Sequence, residues 1–202
     1  MSSCVIGLTG GIACGKSNLS RALRGAGAYV VDADEISHEL TAASGPALPR
    51  IREAFGDRVF LGEELNRAAL SEIVFSDPSA LKKLNEILHP MIGEEICRRL
   101  NACDGIAVLE APLLFDCGLE KLCREVWCAY IPQKEQLRRL RNRNGLTFRQ
   151  AMERIQSQMS AREIARRSDR VIRTDGTPEE SAGKVLRLYH ELTGGGNTNA
   201  AE

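Results

Sequence analysis

The chain has 202 residues, 43% of them hydrophobic and 27% charged, and its 27 basic and 27 acidic side chains cancel to a net charge of zero. That length suits one domain, or one domain with inserted lobes, and it can bury a real core. The composition is that of a soluble globular protein. No run of about 18 apolar residues could span a bilayer, and no basic stretch followed by a hydrophobic signal core opens the chain, so a cytoplasmic protein without a membrane partner is expected.

The seven cysteines (Cys4, Cys14, Cys97, Cys103, Cys117, Cys123 and Cys128) are odd in number and form no C-x-x-C pair, which excludes a disulfide or zinc framework. Most are expected to be reduced, buried small hydrophobes. Cys14 is the exception: beside a helix N-terminus and Lys16 its thiol pKa should fall, which predicts redox sensitivity. Charge is unevenly placed, since residues 134–173 carry twelve Lys/Arg against four Asp/Glu. With 4% aromatic residues and a pI near 6.8, this is not a general nucleic-acid binder; one small polyanion suits such a segment better.

In chain order, an apolar run over residues 5–9 predicts a strand, followed by Gly10, four residues, Gly15, Lys16 and Ser17, the phosphate-loop pattern. Glycines there let backbone N–H groups turn inward around phosphate oxygens. Lys16 brings a compact charge to the β- and γ-phosphates, Ser17 offers a hydroxyl to Mg²⁺, and a helix over residues 16–24 aims its positive end at the same anion. A second strand over residues 28–34 ends in Asp32 and Asp34. Two apart on an extended chain, they either both face the loop at the ligand-binding edge of the sheet or belong to a strand-to-helix turn in which Asp34 caps the helix.

Residues 35–101 read as mostly helical, with helices over 35–42, 46–55, 66–75, 78–88 and 90–100. So long an insertion between two sheet strands suggests a substrate-holding lobe. Leu88-His89-Pro90 should break it, because proline biases His89 away from helical geometry; His89 is either a structural hydrogen-bonder or a functional imidazole. Residues 106–110 form a continuous apolar run fit for the centre of a parallel sheet. At its end Glu110 is either an acid that organises Mg²⁺ or a capping carboxylate. A fourth strand over 124–131 and a fifth over 169–173 flank three basic helices, 132–143, 147–159 and 161–167. There Arg139 and Arg143 share one helix face, as do Arg162 and Arg166. Such a segment reads as a lid whose arginines meet phosphate charge while excluding water. A turn at Thr174-Asp175-Gly176 leads into a last helix over 178–192 and a polar tail.

Taken together, residues 7–12 before Gly15-Lys16-Ser17, then Val31-Asp-Ala-Asp34, Leu88-His-Pro90 and Ala111-Pro-Leu-Leu-Phe115 closely resemble the dephospho-coenzyme A kinase family, from residue 5 to about residue 189. The resemblance implies an α/β, three-layer P-loop kinase fold with a five-stranded parallel sheet, a helical substrate lobe and an arginine-rich lid. As one domain, the core would comprise residues 1–34, 104–133 and 169–193, the lobe about 35–103, the lid about 134–168, and a disordered tail 194–202. It implies transfer of the ATP γ-phosphoryl group, with Mg²⁺, to the ribose 3′-hydroxyl of dephospho-coenzyme A, the last step of coenzyme A synthesis. By position the catalytic residues are Asp34, Lys16 and Arg143. Nucleotide binding falls on Gly10, Gly11, Ile12, Ala13, Cys14, Gly15, Lys16, Ser17, Asn18, Arg143 and Thr174, and substrate binding on Asp34 and His89. The metal falls on Ser17, with Asp32 and Glu110 as further candidates. Two departures stand out: Ala13-Cys14 replaces the usual small Gly/Ser-type pair, and Thr174 stands where asparagine is expected near the base. The partners implied are ATP and dephospho-coenzyme A alone, in a monomer or small homo-oligomer. The alternatives are another small-molecule P-loop kinase or a nucleotide-binding switch; the Asn-Lys-x-Asp element a GTP switch wants is missing from the sequence.

Overall fold

A computed structural model describes residues 4–194. The expected tail begins at Gly194, which ends the last helix, and residues 195–202 lie outside the described residues. The chain forms two compact units, Met1–Val31 with Cys103–Glu202, and Asp32–Ala102.

The first unit is built on a five-stranded parallel sheet, in the order β2-β5-β1-β6-β7. Its strands are β1 (Cys4–Thr9), β2 (Tyr29–Asp32), β5 (Ile106–Glu110), β6 (Glu125–Tyr130) and β7 (Arg170–Arg173). Central β1 is buried from Val5 to Thr9 because the sheet is covered on both faces, which is why β1, β5 and β6 read as apolar runs rather than alternating ones. Ile6 and Leu8 of β1, Leu19 and Leu23 of α1 (Lys16–Gly25), Trp127 and Ile131 around β6, and Val185 of α9 (Pro178–Gly194) form the main core, with α1 packed on α9. The indole N–H of Trp127 is satisfied by the Glu125 carboxylate at 3.0 Å. The basic segment folds as α6 (Gln133–Asn144), α7 (Phe148–Gln156) and α8 (Ala161–Arg167). A reciprocal Thr147–Gln150 capping box starts α7, and Leu140, Ala151 and Ile155 form a small core between α6 and α7.

The second unit comprises α2 (Ala33–Leu40), α3 (Leu48–Phe55), a hairpin of β3 (Phe60–Leu61) and β4 (Glu64–Leu65), α4 (Arg67–Ser76) and α5 (Pro78–Asn101). The hairpin is an addition to the mostly helical expectation; two-residue strands are too short to leave a period-2 signal. Asn66 and Asp77 cap α4 and α5 through their side chains. A larger correction concerns Leu88-His89-Pro90, where two helices are expected and one helix of 24 residues is found, with Pro90 inside it. Proline removes one intrahelical bond and costs about 3 kcal/mol. Packing of α5 on α2, α3 and α4 offsets that cost. So does the tie from Arg99 of α5 to both Glu39 of α2 and Glu95 on its own helix.

Candidate functional site

Sheet order decides where the chemistry-bearing residues gather. After β1 the chain moves toward β2 at one edge, and after β5 it crosses to β6 on the far side of β1, so neighbouring β1 and β5 form the switch point of the sheet. Ligands of open α/β sheets bind outside the carboxyl ends of the strands at such a point. Leu8 pairs with Glu110 across β1 and β5, which brings the loop after β1 and the acid ending β5 to the same edge.

The loop has the backbone of an anion nest. Gly10 has φ 155°, and a Cβ there would lie 2.7 Å from the Ala129 carbonyl oxygen. Ala13 (φ 61°) and Gly15 (φ 81°) are both left-handed, the alternation that turns successive N–H groups to one side. The Cys14 N–H closes the loop onto the Gly11 carbonyl at 3.1 Å, while the N–H groups of Ala13, Gly15 and Lys16 meet no protein acceptor among the described residues. Three inward amides at the start of α1 are suited to phosphate oxygens.

Lys16 Nζ donates to Glu110 Oε1 at 2.6 Å, with the two side chains 13% and 4% exposed. A carboxylate that deeply buried requires its cation. Ser17 is exposed on the first turn of α1, and its hydroxyl makes no hydrogen bond among the described residues. Asn18 is committed elsewhere: its N–H donates to Gly15 O and its side chain donates to Pro178 O at 2.8 Å. Thr174, buried at the end of β7, does not present its hydroxyl to solvent but donates it to the Cys14 carbonyl.

Two residues absent from the expected site also touch the loop region. Gln136 Nε2 donates to Ile12 O at 2.9 Å, and Arg139 Nη2 donates to Thr174 O at 2.6 Å. Both stand early on the helix that follows β6, the position at which an α/β fold delivers side chains to its ligand edge, and that placement is the signal that could have found them. Glu135 holds Arg139 and Arg138, and these two guanidiniums, Arg138 foremost, lower its carboxyl to about 2.

Among the arginines of α6, α7 and α8, most are paired with carboxylates, largely on their own helices. Arg141, Arg143, Arg154 and Arg162 have no carboxylate within 4.0 Å among the described residues. Arg143, on the last turn of α6, is exposed. Clefts of about 380 and 600 Å³ adjoin α6; the first is bordered by Gln136, Ala161 and Arg162, the second by Lys134, Arg138, Arg141 and Asp175.

Two expectations are corrected here. Cys14 is buried, and burial pushes its thiol up to about 11 despite the local amides and Arg139, so it is not an activated thiolate. The strand expected to run through Asp34 ends at Asp32, whose Oδ1 accepts the N–H groups of Asp34 (2.8 Å) and Glu35 (3.3 Å) as N-cap of α2. Asp32 and Asp34 therefore do not alternate along an extended chain. The cap is Asp32, because its oxygen satisfies helix-start amides that an extended backbone would leave to water. Asp34 is exposed on the first helical turn of the second unit, and His89 is exposed midway along α5 of that unit, in a shallow groove with Leu81, Lys82 and Asn85. Among the described residues no cluster of three or more His, Cys, Asp or Glu could enclose a metal ion, and no helix is long and apolar enough to cross a membrane.

The comparisons agree with this geometry. The family model described as dephospho-CoA kinase matches residues 4–180. A dephospho-CoA kinase of Carboxydothermus hydrogenoformans is 37% identical over 192 residues, covering 93% of each chain. The crystal structure of a Thermus thermophilus protein superposes with a TM-score of 0.82 at 30% identity, over 95% of this chain and 99% of that one. A dephospho-CoA kinase from Campylobacter jejuni superposes at 0.73 with 25% identity, over 95% and 98%. With a phosphate nest at the switch point and a family match along most of its length, this chain belongs to the dephospho-CoA kinase family.

Proposed function

We propose that the protein transfers the γ-phosphoryl group of ATP to the 3′-hydroxyl of dephospho-coenzyme A, releasing ADP and coenzyme A. The observation that carries this reading is the loop of inward amides with the Lys16–Glu110 pair beside it, in a chain of that family. Phosphoryl transfer passes through a loose transition state with charge spread over the equatorial oxygens, so the protein's work is positioning and charge stabilisation. The loop amides and Lys16 grip the β- and γ-phosphates. Arg143, a lid cation without a carboxylate partner among the described residues, adds positive charge where negative charge grows. Asp34 accepts a hydrogen bond from the attacking hydroxyl and takes its proton late in the transfer.

Mg²⁺ fits the donor chemistry. Ser17 offers an exposed hydroxyl and Glu110 a carboxylate, both hard oxygen donors, and an ion carried largely by substrate phosphates and water needs no enclosing protein cage. Ser17 and Glu110 would hold the ion, which would supply positive charge to the phosphates. Asp32 is a weaker candidate ligand because its carboxylate caps α2. His89 is assigned to the dephospho-coenzyme A side, supported by its exposure and by the family resemblance. The protein works on these two small molecules in the cytoplasm, as a monomer or small homo-oligomer. A coupled ADP-release assay tests the function: release should need Mg·ATP and rise steeply with dephospho-coenzyme A. Release indifferent to that acceptor, or faster with a nucleoside monophosphate or another metabolite hydroxyl, would overturn it.

A further inference from the structure

A nest that points its N–H groups inward must point the attached carbonyls outward, and a buried carbonyl without a donor costs about 1–3 kcal/mol. Of the three carbonyls attached to those amides, Gly15 O accepts the Asn18 N–H at 3.1 Å, and the other two are each met by a side chain from another element: Ile12 O by Gln136 Nε2 at 2.9 Å, and Cys14 O by Thr174 Oγ1. Both donors are polar residues in the interior, Gln136 at 2% and Thr174 at 4% exposure. The peptide group is planar and trans, so the Ile12 carbonyl and the Ala13 N–H point opposite ways as one rigid unit, and so do the Cys14 carbonyl and the Gly15 N–H. Ala13 and Gly15 are the residues in the left-handed region whose amides meet no protein acceptor among the described residues. Thr174 is itself held, its carbonyl by Arg139 at 2.6 Å and its N–H by donation to Tyr130 O at 3.1 Å.

We infer that Gln136 and Thr174 are positioning residues for phosphoryl transfer: each pins one peptide plane of the loop and thereby aims one amide, that of Ala13 or Gly15, at the phosphates. This rests on reading the loop as the nucleotide site. It also explains how threonine serves where asparagine is expected, because the side chain's task here is to donate to the loop backbone. Ala13 keeps a positive φ without glycine because the peptide before it is fixed from outside.

The test uses Thr174→Val, which keeps shape and loses the hydroxyl, Thr174→Ser, which restores it, and Gln136→Met. In the purified full chain without nucleotide, exchange of the Cys14 amide hydrogen, which is bonded to Gly11 O, should be faster in Thr174→Val and Gln136→Met than in the original chain, and normal in Thr174→Ser. The KM for ATP should rise about tenfold in the first two, equivalent to about 1.4 kcal/mol, while the KM for dephospho-coenzyme A stays within about twofold. Unchanged exchange together with unchanged KM for ATP would overturn the inference, as would parallel loss for both substrates that tracks a lowered melting temperature. Should Thr174→Val not fold, Gln136→Met against the original chain decides on the same readouts. If the original chain binds no Mg·ATP while the exchange differences appear, the nucleotide reading falls and the loop-holding role stands; if ATP binds and the variants match the original, the reverse holds.

Discussion

Lys16 Nζ lies 2.6 Å from Glu110 Oε1, so the two elements that meet at the switch point of the sheet are tied by an ion pair that is nearly out of water. Removing one partner of such a pair leaves the other charge buried and uncompensated, which costs about 3–5 kcal/mol. Lys16→Met should therefore lose stability by about 3 kcal/mol as well as lose phosphoryl transfer. Lys16→Met combined with Glu110→Gln should regain most of the stability and none of the activity, read by urea midpoints beside the ADP-release assay. A single Lys16→Met variant as stable as the original chain would show that the pair contributes nothing to folding.

Asp34→Asn should lower turnover about a hundredfold and leave ATP affinity unchanged. A loose transition state demands little of a base, which puts the loss toward the low end of general-base effects. Asp32→Ala separates the neighbouring carboxylate: as the N-cap of α2, its loss should cost about 1 kcal/mol of stability. Turnover and denaturant midpoint of the two variants, measured side by side, check this division.

Gly15 and Ala13 share a left-handed backbone with opposite consequences for substitution. Gly15→Ala would place a Cβ in a disfavoured φ and 3.4 Å from Thr174, and should destabilise by about 1–2 kcal/mol. Ala13→Gly relieves the same kind of strain but adds backbone entropy to the unfolded chain, and should stay within about 1 kcal/mol of the original. Equilibrium denaturation with an unchanged m-value is the check.

Cys14 should resist thiol reagents. Burial pushes its thiol up to about 11, so near pH 7.5 it is almost wholly protonated. Mass spectrometry after brief alkylation should find exposed Cys97 and Cys117 modified before Cys14, with activity intact at that point. Rapid labelling of Cys14 would contradict its observed burial.

Acid should weaken the Glu95 ion pairs along α5 in a defined window. Arg98 and then Arg99 hold the Glu95 carboxyl down to about 2, from an ordinary value of 4.5. A carboxyl whose folded value is depressed adds stability above its unfolded value and loses it as pH falls. The contribution should therefore be complete above about 4.5 and fade toward about 2, reduced by the exposure of Arg98. In Glu95→Gln, denaturation midpoints should vary less between pH 5 and 2 than in the original chain.

Local order was largely legible in the amino-acid sequence. The apolar runs of β1, β5 and β6 and the Gly10-to-Ser17 spacing each follow from backbone chemistry over a few residues, and element type came out right wherever those signals were dense. The break expected at His89-Pro90 did not occur because a proline's local cost, about 3 kcal/mol, is set by sequence, whereas the packing of α5 on three neighbouring helices that offsets it is not. The lowered thiol expected for Cys14 failed for a related reason: a nearby helix start and lysine are visible along the chain, but burial is not.

The sequence by itself determined the kind of chemistry, since a phosphate nest needs its glycines, lysine and hydroxyl at set spacings along one short segment. Only the tertiary structure decided what holds that segment in shape. Gln136 and Thr174 lie 124 and 160 residues from the carbonyls they bind, and Glu110 lies 94 from Lys16. Hydrogen bonds and ion pairs act over about 3 Å in space and carry no mark of their partner in the local sequence.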